Sequence, residues 1–253
     1  MLVAAALVPD TVLLLPGTAG RGPDDPALVA LRAAAASAVA RAVGAGARVV
    51  VVAPGPVDRS VTGELAAGAS AAGVPDHLLA SPAPRVRLVP APGGPDERPG
   101  APRTSGVVGV RLALAAGAAV ERLHLVEVAP GPHAALRALG SALTAAAPTA
   151  LVLVGSGSAR HGPDAPLPQD ARAGSFDARL VAALRAGGPA GRDALAATDG
   201  ELATALAVTG RAPWQVLVGA LDAAGPVPPP AVVLHAAVLR GAAHAAVAWE
   251  VRP

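Results

Sequence analysis

The sequence predicts an α/β fold: a central, mostly parallel mixed sheet with helices on both faces and antiparallel closing strands, in one domain, 1–253. Three observations carry this. Short apolar runs alternate with stretches of helical spacing, the order that a parallel sheet with crossover helices requires. The strand-like runs near the start are apolar throughout, as suits strands covered on both faces. The last two runs, by contrast, follow each other directly around Arg240-Gly241, which makes them an antiparallel edge.

Taken in order, Leu2–Val8 is a buried strand ended by Pro9-Asp10, and a second apolar run, Thr11–Leu15, leads into Pro16-Gly17 and the loop Gly20–Asp25. Asp25-Pro26 combines an N-cap side chain with a proline at the first helical position. Leu28, Leu31, Ala35, Val39 and Val43 then recur at helical spacing until Gly44 and Gly46 stop the helix. Val49–Ala53 is a continuous β-branched run, a central parallel strand. Val61–Ala72 is weakly helical, Arg85–Val89 a strand, and Pro90–Pro102 a Pro/Gly-rich surface loop. Helices at Ser105–Ala119 and His133–Ala146 alternate with strands at Leu123–Val128 and Ala150–Val154. Gly155–Gly174 is a long irregular loop. Helices follow at Ser175–Ala186, near Arg192–Ala197, at Gly200–Val208 and at Pro213–Ala223. Pro226–Pro230 is an extended breaker before the closing strands Ala231–Leu239 and Ala243–Val251.

Composition limits what this fold can do. Hydrophobic residues make up 53% of the chain, yet only Phe176, Trp214 and Trp249 are aromatic. Ala, Val and Leu must fill the core, so helices and strands should approach closely. Lys, Ile, Asn, Tyr and Cys are all absent. Residues with GC-rich codons abound, and the pattern is that of genomic bias. It also explains a pI near 10.7 at a formal charge of only +2, because almost nothing titrates between neutrality and the Arg range. The arginines are scattered singly, which speaks against nucleic acid as a partner. Zero Cys excludes disulfides, a thiol nucleophile and cysteine-ligated metal. Met1–Val8 lacks a basic flank and is interrupted by Pro9-Asp10, unlike a signal segment, and no uninterrupted apolar run reaches ~18 residues free of charge and Pro. The expectation is a cytoplasmic protein without a membrane partner.

In such a sheet, ligands gather at the carboxyl ends of the strands. Those ends are Pro9-Asp10, Pro54-Gly55-Pro56, Glu127–Pro130 and Gly155–His161. Gly155-Ser156-Gly157-Ser158-Ala159-Arg160-His161 fails as a dinucleotide fingerprint, because Arg160 stands where the third glycine is needed and three prolines follow. It also lacks the G-x-S-x-G of a nucleophile elbow. It remains either a plain turn or a loop whose Ser156 and Ser158 hydroxyls, with Arg160 and His161, face a pocket. Asp10 could ligate a cation, orient a histidine, or simply form a turn. Of the six histidines, His77, His124, His133, His161, His235 and His244, no two have metal-ligand spacing. His124 and Glu127, three apart on one strand, point to opposite faces. His235 and His244 lie on the closing strands, as ligands or packed polar residues. Pattern alone favours no histidine as a base.

Several segments together resemble the LigB-like class III extradiol ring-cleavage dioxygenases, especially a divergent actinobacterial branch. They are Val8-Pro9-Asp10 with Leu13-Leu14-Leu15-Pro16 and Gly20, then Gly155–Arg160, Phe176-Asp177, Gly210-Arg211-Ala212-Pro213-Trp214-Gln215-Val216-Leu217, and the closing Arg240-Gly241 and Ala248-Trp249. The resemblance implies a non-heme Fe(II) at the strand ends, held by two His and a carboxylate, with open positions for a catechol and O₂. It also implies a further His as acid/base.

Matched residue by residue, this sequence departs from that pattern. The first ligand position falls at Asp10, the second near Pro54–Asp58 where there is no His, and the acid/base at Ala159, two residues before His161. Glu250 is nearest the region of the third ligand. The expectation is therefore a class III extradiol dioxygenase-like protein with a degenerate metal site, binding a small aromatic molecule or a partner without ring cleavage. The alternative is an active Fe(II)-dependent extradiol dioxygenase with a remodelled site built on Asp10, His161 and one C-terminal residue. A hydrolase using Ser156 or Ser158 would demand a His within hydrogen-bond reach of the hydroxyl.

Overall fold

The computed structural model describes residues 1–20, 25–45, 48–80, 82–227 and 229–251. Part of the expected loop Gly20–Asp25, the helix stop at Gly46 and Pro228 within Pro226–Pro230 lie outside the described residues. One sheet joins strands from Leu2 to Glu250 in the order β4-β3-β6-β2-β7-β1-β9-β8, with β5 paired to β3. Its centre is parallel: β6 (Leu123–Val128), β2 (Arg48–Pro54), β7 (Thr149–Val154) and β1 (Leu2–Val8). These strands are buried almost throughout, which accounts for their unbroken apolar runs.

Helices cover both faces. On one, α1 (Pro26–Val43) and α2 (Thr104–Ala115) bury Leu28, Leu31, Val39, Val108 and Val110 against alternate residues of β1, β2 and β7. On the other lie α3 (His133–Ala145), α4 (Arg172–Ala186), α5 (Pro189–Ala196), α6 (Gly200–Ala205) and α7 (Arg211–Ala224), packed over Leu7, Val50, Val52, Leu151 and Leu153. The Asp25 cap forms as expected, its carboxylate accepting from the Ala27 amide at 2.8 Å. Among the described residues, α1 is the one helix long and apolar enough to cross a membrane. Here its buried stripe lies along β1, β8 and β9, as a core helix would. The close approach anticipated from an Ala- and Gly-rich core is most evident between α3 and α7. There Gly140 abuts the Val216 carbonyl and Gly219 abuts the Arg137 carbonyl, leaving no room for a Cβ at either.

The closing pair is antiparallel: β9 (Ala242–Glu250) runs against β1, and β8 (Ala231–Leu239) forms the outer edge. The opposite side of the sheet departs from expectation. Rather than a helix over Val61–Ala72, Arg59–Ala66 is strand β3, antiparallel to both β6 and β4 (Arg85–Leu88), and only Ser70–Ala72 turns helically. Val61 and Leu65 are buried while Thr62 and Glu64 are not, so pairing with the exposed edge of β6 outweighs a weak helical pattern. β5 (Glu97–Pro99) lies unexpectedly inside the Pro/Gly-rich stretch; three exposed residues leave no burial signature to read. The helix from Thr104 ends at Ala115, and residues 120–122 form a separate 3₁₀ turn.

Candidate functional site

β1 and β7 are parallel neighbours in register from Val8 to Val154, so the residues following them emerge side by side at one rim. The Gly155 amide donates to the Val8 carbonyl at 2.9 Å, and Asp10 then meets Ser156. The Ser156 hydroxyl donates to Asp10 Oδ1 at 2.6 Å and lies 3.1 Å from His244 Nδ1 on β9. A serine has one proton to give. With it committed to Asp10, the imidazole contact must be an Nδ1–H donated to the serine oxygen, which leaves Nε2 with the free lone pair. Burial holds the His244 pKa below its ordinary value, and the negative charge of Asp10 opposes that only in part. A neutral ring fits this arrangement.

The segment of α7 that made the sequence distinctive braces this turn. The Gly210 amide donates to the Ser156 carbonyl at 3.0 Å, the Ser156 amide donates to Thr209 Oγ1 at 2.9 Å, and Gly155 packs on Gly210. Trp214 fills the space beneath, 2% exposed. The loop also adds to the edge of β9 through Gly157 to the Ala243 carbonyl at 2.9 Å and Ala243 to the Ser158 carbonyl at 2.8 Å.

The remaining residues expected in a pocket have other tasks. Ser158 is fully buried and its hydroxyl donates to the Leu206 carbonyl at 2.9 Å. Arg160 holds the Pro168 carbonyl within its own loop. His161 Nε2 is 2.7 Å from Asp177 Oδ2 on α4, and the same carboxylate accepts from the Ser158 amide. Asp10 and His161 therefore belong to separate groups: Asp10 sits with Ser156 and His244, His161 with Asp177. Glu250, the candidate third ligand, pairs with Ala4 near the other end of β1 and forms an ion pair with Arg41 at 3.4 Å. It stands at the opposite rim, about 20 Å along the strand from Asp10, and cannot join that site.

At the second ligand position that the resemblance implies, Pro54-Gly55 packs on Glu127, a fully buried carboxylate outside the candidate ligand set. Its two oxygens are taken by Arg59 at 2.8 Å and by the Arg103 amide at 2.6 Å. Among the described residues no group of three or more His, Asp and Glu is placed to hold a metal ion. A two-His, one-carboxylate set for Fe(II) needs two imidazoles at the rim, and Asp10 has only His244 beside it. The donor set does not fit that metal.

What the rim does form is a pocket of about 350 Å³, lined by Asp10, Ser156 and His244 on its polar side and by Leu13, Pro166 and Leu239 among its apolar walls. That volume suits a small ligand. Sequence pattern places Asp10 and Ser156 at one rim; it leaves His244 as a ligand or a packed polar residue on a closing strand and does not join it to them. His244 could be found only from the register of β9 against β1, which the sequence does not fix. The distance condition for a serine nucleophile is met, but its direction is not, since the hydroxyl proton points to Asp10.

No family model matches the chain, and no curated protein matches it. Among solved structures it is similar to uncharacterized protein JW3007 from Escherichia coli K12, with a TM-score of 0.52 and 16% identity over 98% of this chain and 99% of that one. At that identity the likeness concerns the fold: the α/β architecture is shared along essentially the whole length of both chains.

Proposed function

We propose that this chain is a LigB-like, class III extradiol dioxygenase-like domain that binds a small aromatic molecule at the Asp10–Ser156–His244 rim and does not cleave its ring. The observation that carries the reading is the donor count at that rim: one carboxylate, already bonded to a hydroxyl, and one imidazole. The pocket's apolar walls and its single acidic corner suit a flat ligand that presents a hydroxyl to Asp10. The rigid bracing of the turn by α7 supports binding with little rearrangement. A cytoplasmic location belongs to the same proposal.

The test is an anaerobic titration of the protein with Fe(II), followed by metal analysis after desalting and by oxygen uptake with catechol. We expect well under one iron per chain, no oxygen uptake, and catechol-dependent changes in the ring signals of His244. One tightly held iron per chain with catechol-dependent oxygen consumption would overturn the reading in favour of an active dioxygenase with a remodelled site.

A further inference from the structure

We propose that this chain forms a two-fold dimer through the free edge of β8, with the flank of α1 above that edge packing on its counterpart. The inference is independent of the pocket reading.

The two edges of the sheet are built differently. β4, at one end, is four residues long, turns Arg85 and Arg87 to solvent, and is followed by Val89-Pro90. Short length, outward charge and a nearby proline keep a strand edge from pairing with another chain. β8, at the other end, is nine residues long, and Ala231–Leu239 contains neither a charged side chain nor a proline. Among the described residues no strand lies beyond it. Val232 and Val238 stand 43% and 52% exposed on it. Its one irregularity, a register shift between Val233 and His235, leaves the stretch from His235 to Leu239 regular. An edge of that length and polarity is a template for a further strand.

The occupant follows from what lies above the edge. α1 packs on β1, β9 and β8, yet only 33% of this apolar helix is buried. Ala27, Ala30, Ala34 and Ser37 recur at three- and four-residue spacing along one flank. Arg41 ends that flank, where it meets Glu250 and lines a cleft with Val232, so the flank faces the β8 side. Antiparallel pairing of β8 with a second β8 has its two-fold axis perpendicular to the sheet, so both α1 helices fall on one face. Side chains no larger than Ser then let the two helices approach to about 8 Å. Strand edge and helix flank together form a strip about 30 Å long and on the order of 20 Å across. Covered on both copies, it buries roughly 1,200 Å², which reaches the range of a specific dimer. The charges agree with this. Arg240 and Glu250 stand at opposite ends of the β8–β9 hairpin, and antiparallel pairing brings the arginine end of one copy to the glutamate end of the other.

The experiment is sedimentation equilibrium of the whole chain up to roughly 100 µM, above the Kd range of an interface this size. Wild type is compared with Val238→Lys, Ala30→Glu and Val89→Lys, all at exposed positions, with circular dichroism as the check on folding. We expect wild type at twice the 24.4 kDa chain mass. Val238→Lys and Ala30→Glu should each weaken the dimer at least tenfold, and Val89→Lys, beside the charged edge, should leave it unchanged. A wild-type chain that stays at 24.4 kDa, or associates without limit, overturns the proposal. Flotation of such a monomer with phosphatidylglycerol vesicles would assign the face to a lipid surface instead. A dimer that survives Val238→Lys, or is lost in Val89→Lys, has its interface elsewhere and overturns it too. If Ala30→Glu alone has no effect, the helix half of the proposal is overturned and the strand half stands.

Discussion

Two polar groups hang on the loop that follows β7, and they differ in how completely their hydrogen bonds are satisfied. The inner group, His161–Asp177–Ser158, is closed at its carboxylate, which accepts from an imidazole and from a backbone amide, and Asp177 is 7% exposed. The outer group, Asp10–Ser156–His244, is open, with one carboxylate oxygen and one ring nitrogen left over at the edge of a pocket. The same residue types are present in both. A closed group fixes a loop, because every partner lost leaves a buried valence empty. An open group keeps capacity for something that is not protein. On the proposed reading, the first serves stability and the second serves binding.

The largest effect should come from breaking the closed group. Asp177→Ala leaves the His161 ring and the Ser158 amide without their acceptor in a buried setting. We expect a loss of about 3 kcal/mol, measured by urea denaturation, with the amides of residues 155–161 losing protection from hydrogen exchange. Asp177→Asn should retain part of that stability through its amide oxygen. A change below ~0.5 kcal/mol for Asp177→Ala would erase the distinction between the two groups.

Much of this geometry is legible in the sequence. The central strands were readable because strands buried on both faces must be apolar throughout, and the rim followed because parallel strands place their carboxyl ends together. Asp10 and Ser156 meet for that reason alone. What could not be read depended on antiparallel pairing. Ser156 and His244 are 88 residues apart, and their contact requires the register of β9 on β1. A slip of one residue would have turned His244 to the other face. The same kind of pairing made β3 a strand although its sequence is weakly helical, since the edge of β6 supplied partners that a local pattern cannot anticipate. Asp177 was visible only as part of a helix start, because its function depends on where the loop before it folds back.

A smaller effect, and a different kind of test, comes from pH. Burial lowers the pKa of His244 below its ordinary value of 6.5. A folded state that resists protonation takes up fewer protons than the unfolded chain, so the contribution to stability is intact above pH 6.5 and is lost as pH falls below it. The slope for one such group is about 1.4 kcal/mol per pH unit at most. His124 has the same sign, also through burial, so the wild-type loss should exceed that of one group. Replacing His244 by Gln should flatten the dependence between pH 6.5 and 5 by about 1 kcal/mol. Equal slopes in the two proteins would mean that the His244 ring is hydrated and free to ionise, and the outer group would then be more open than its burial indicates.

The smallest expected effect is on the carboxylate of the open group. Asp10 is half-buried, and Asp10→Asn keeps an oxygen that can accept the Ser156 hydroxyl at the 2.6 Å contact. Stability should therefore change by less than ~0.5 kcal/mol, which sets this variant against Asp177→Ala. The informative readout is the neighbouring ring. The Asp10 charge now raises the His244 pKa against the opposing effect of burial, so removing it should move the titration of His244 to still lower pH. An NMR titration of the ring in both proteins measures this directly. If the midpoint stays put or rises, Asp10 is not ionised beside a neutral imidazole, the serine proton is shared differently, and the assignment of the free Nε2 lone pair to the pocket fails with it.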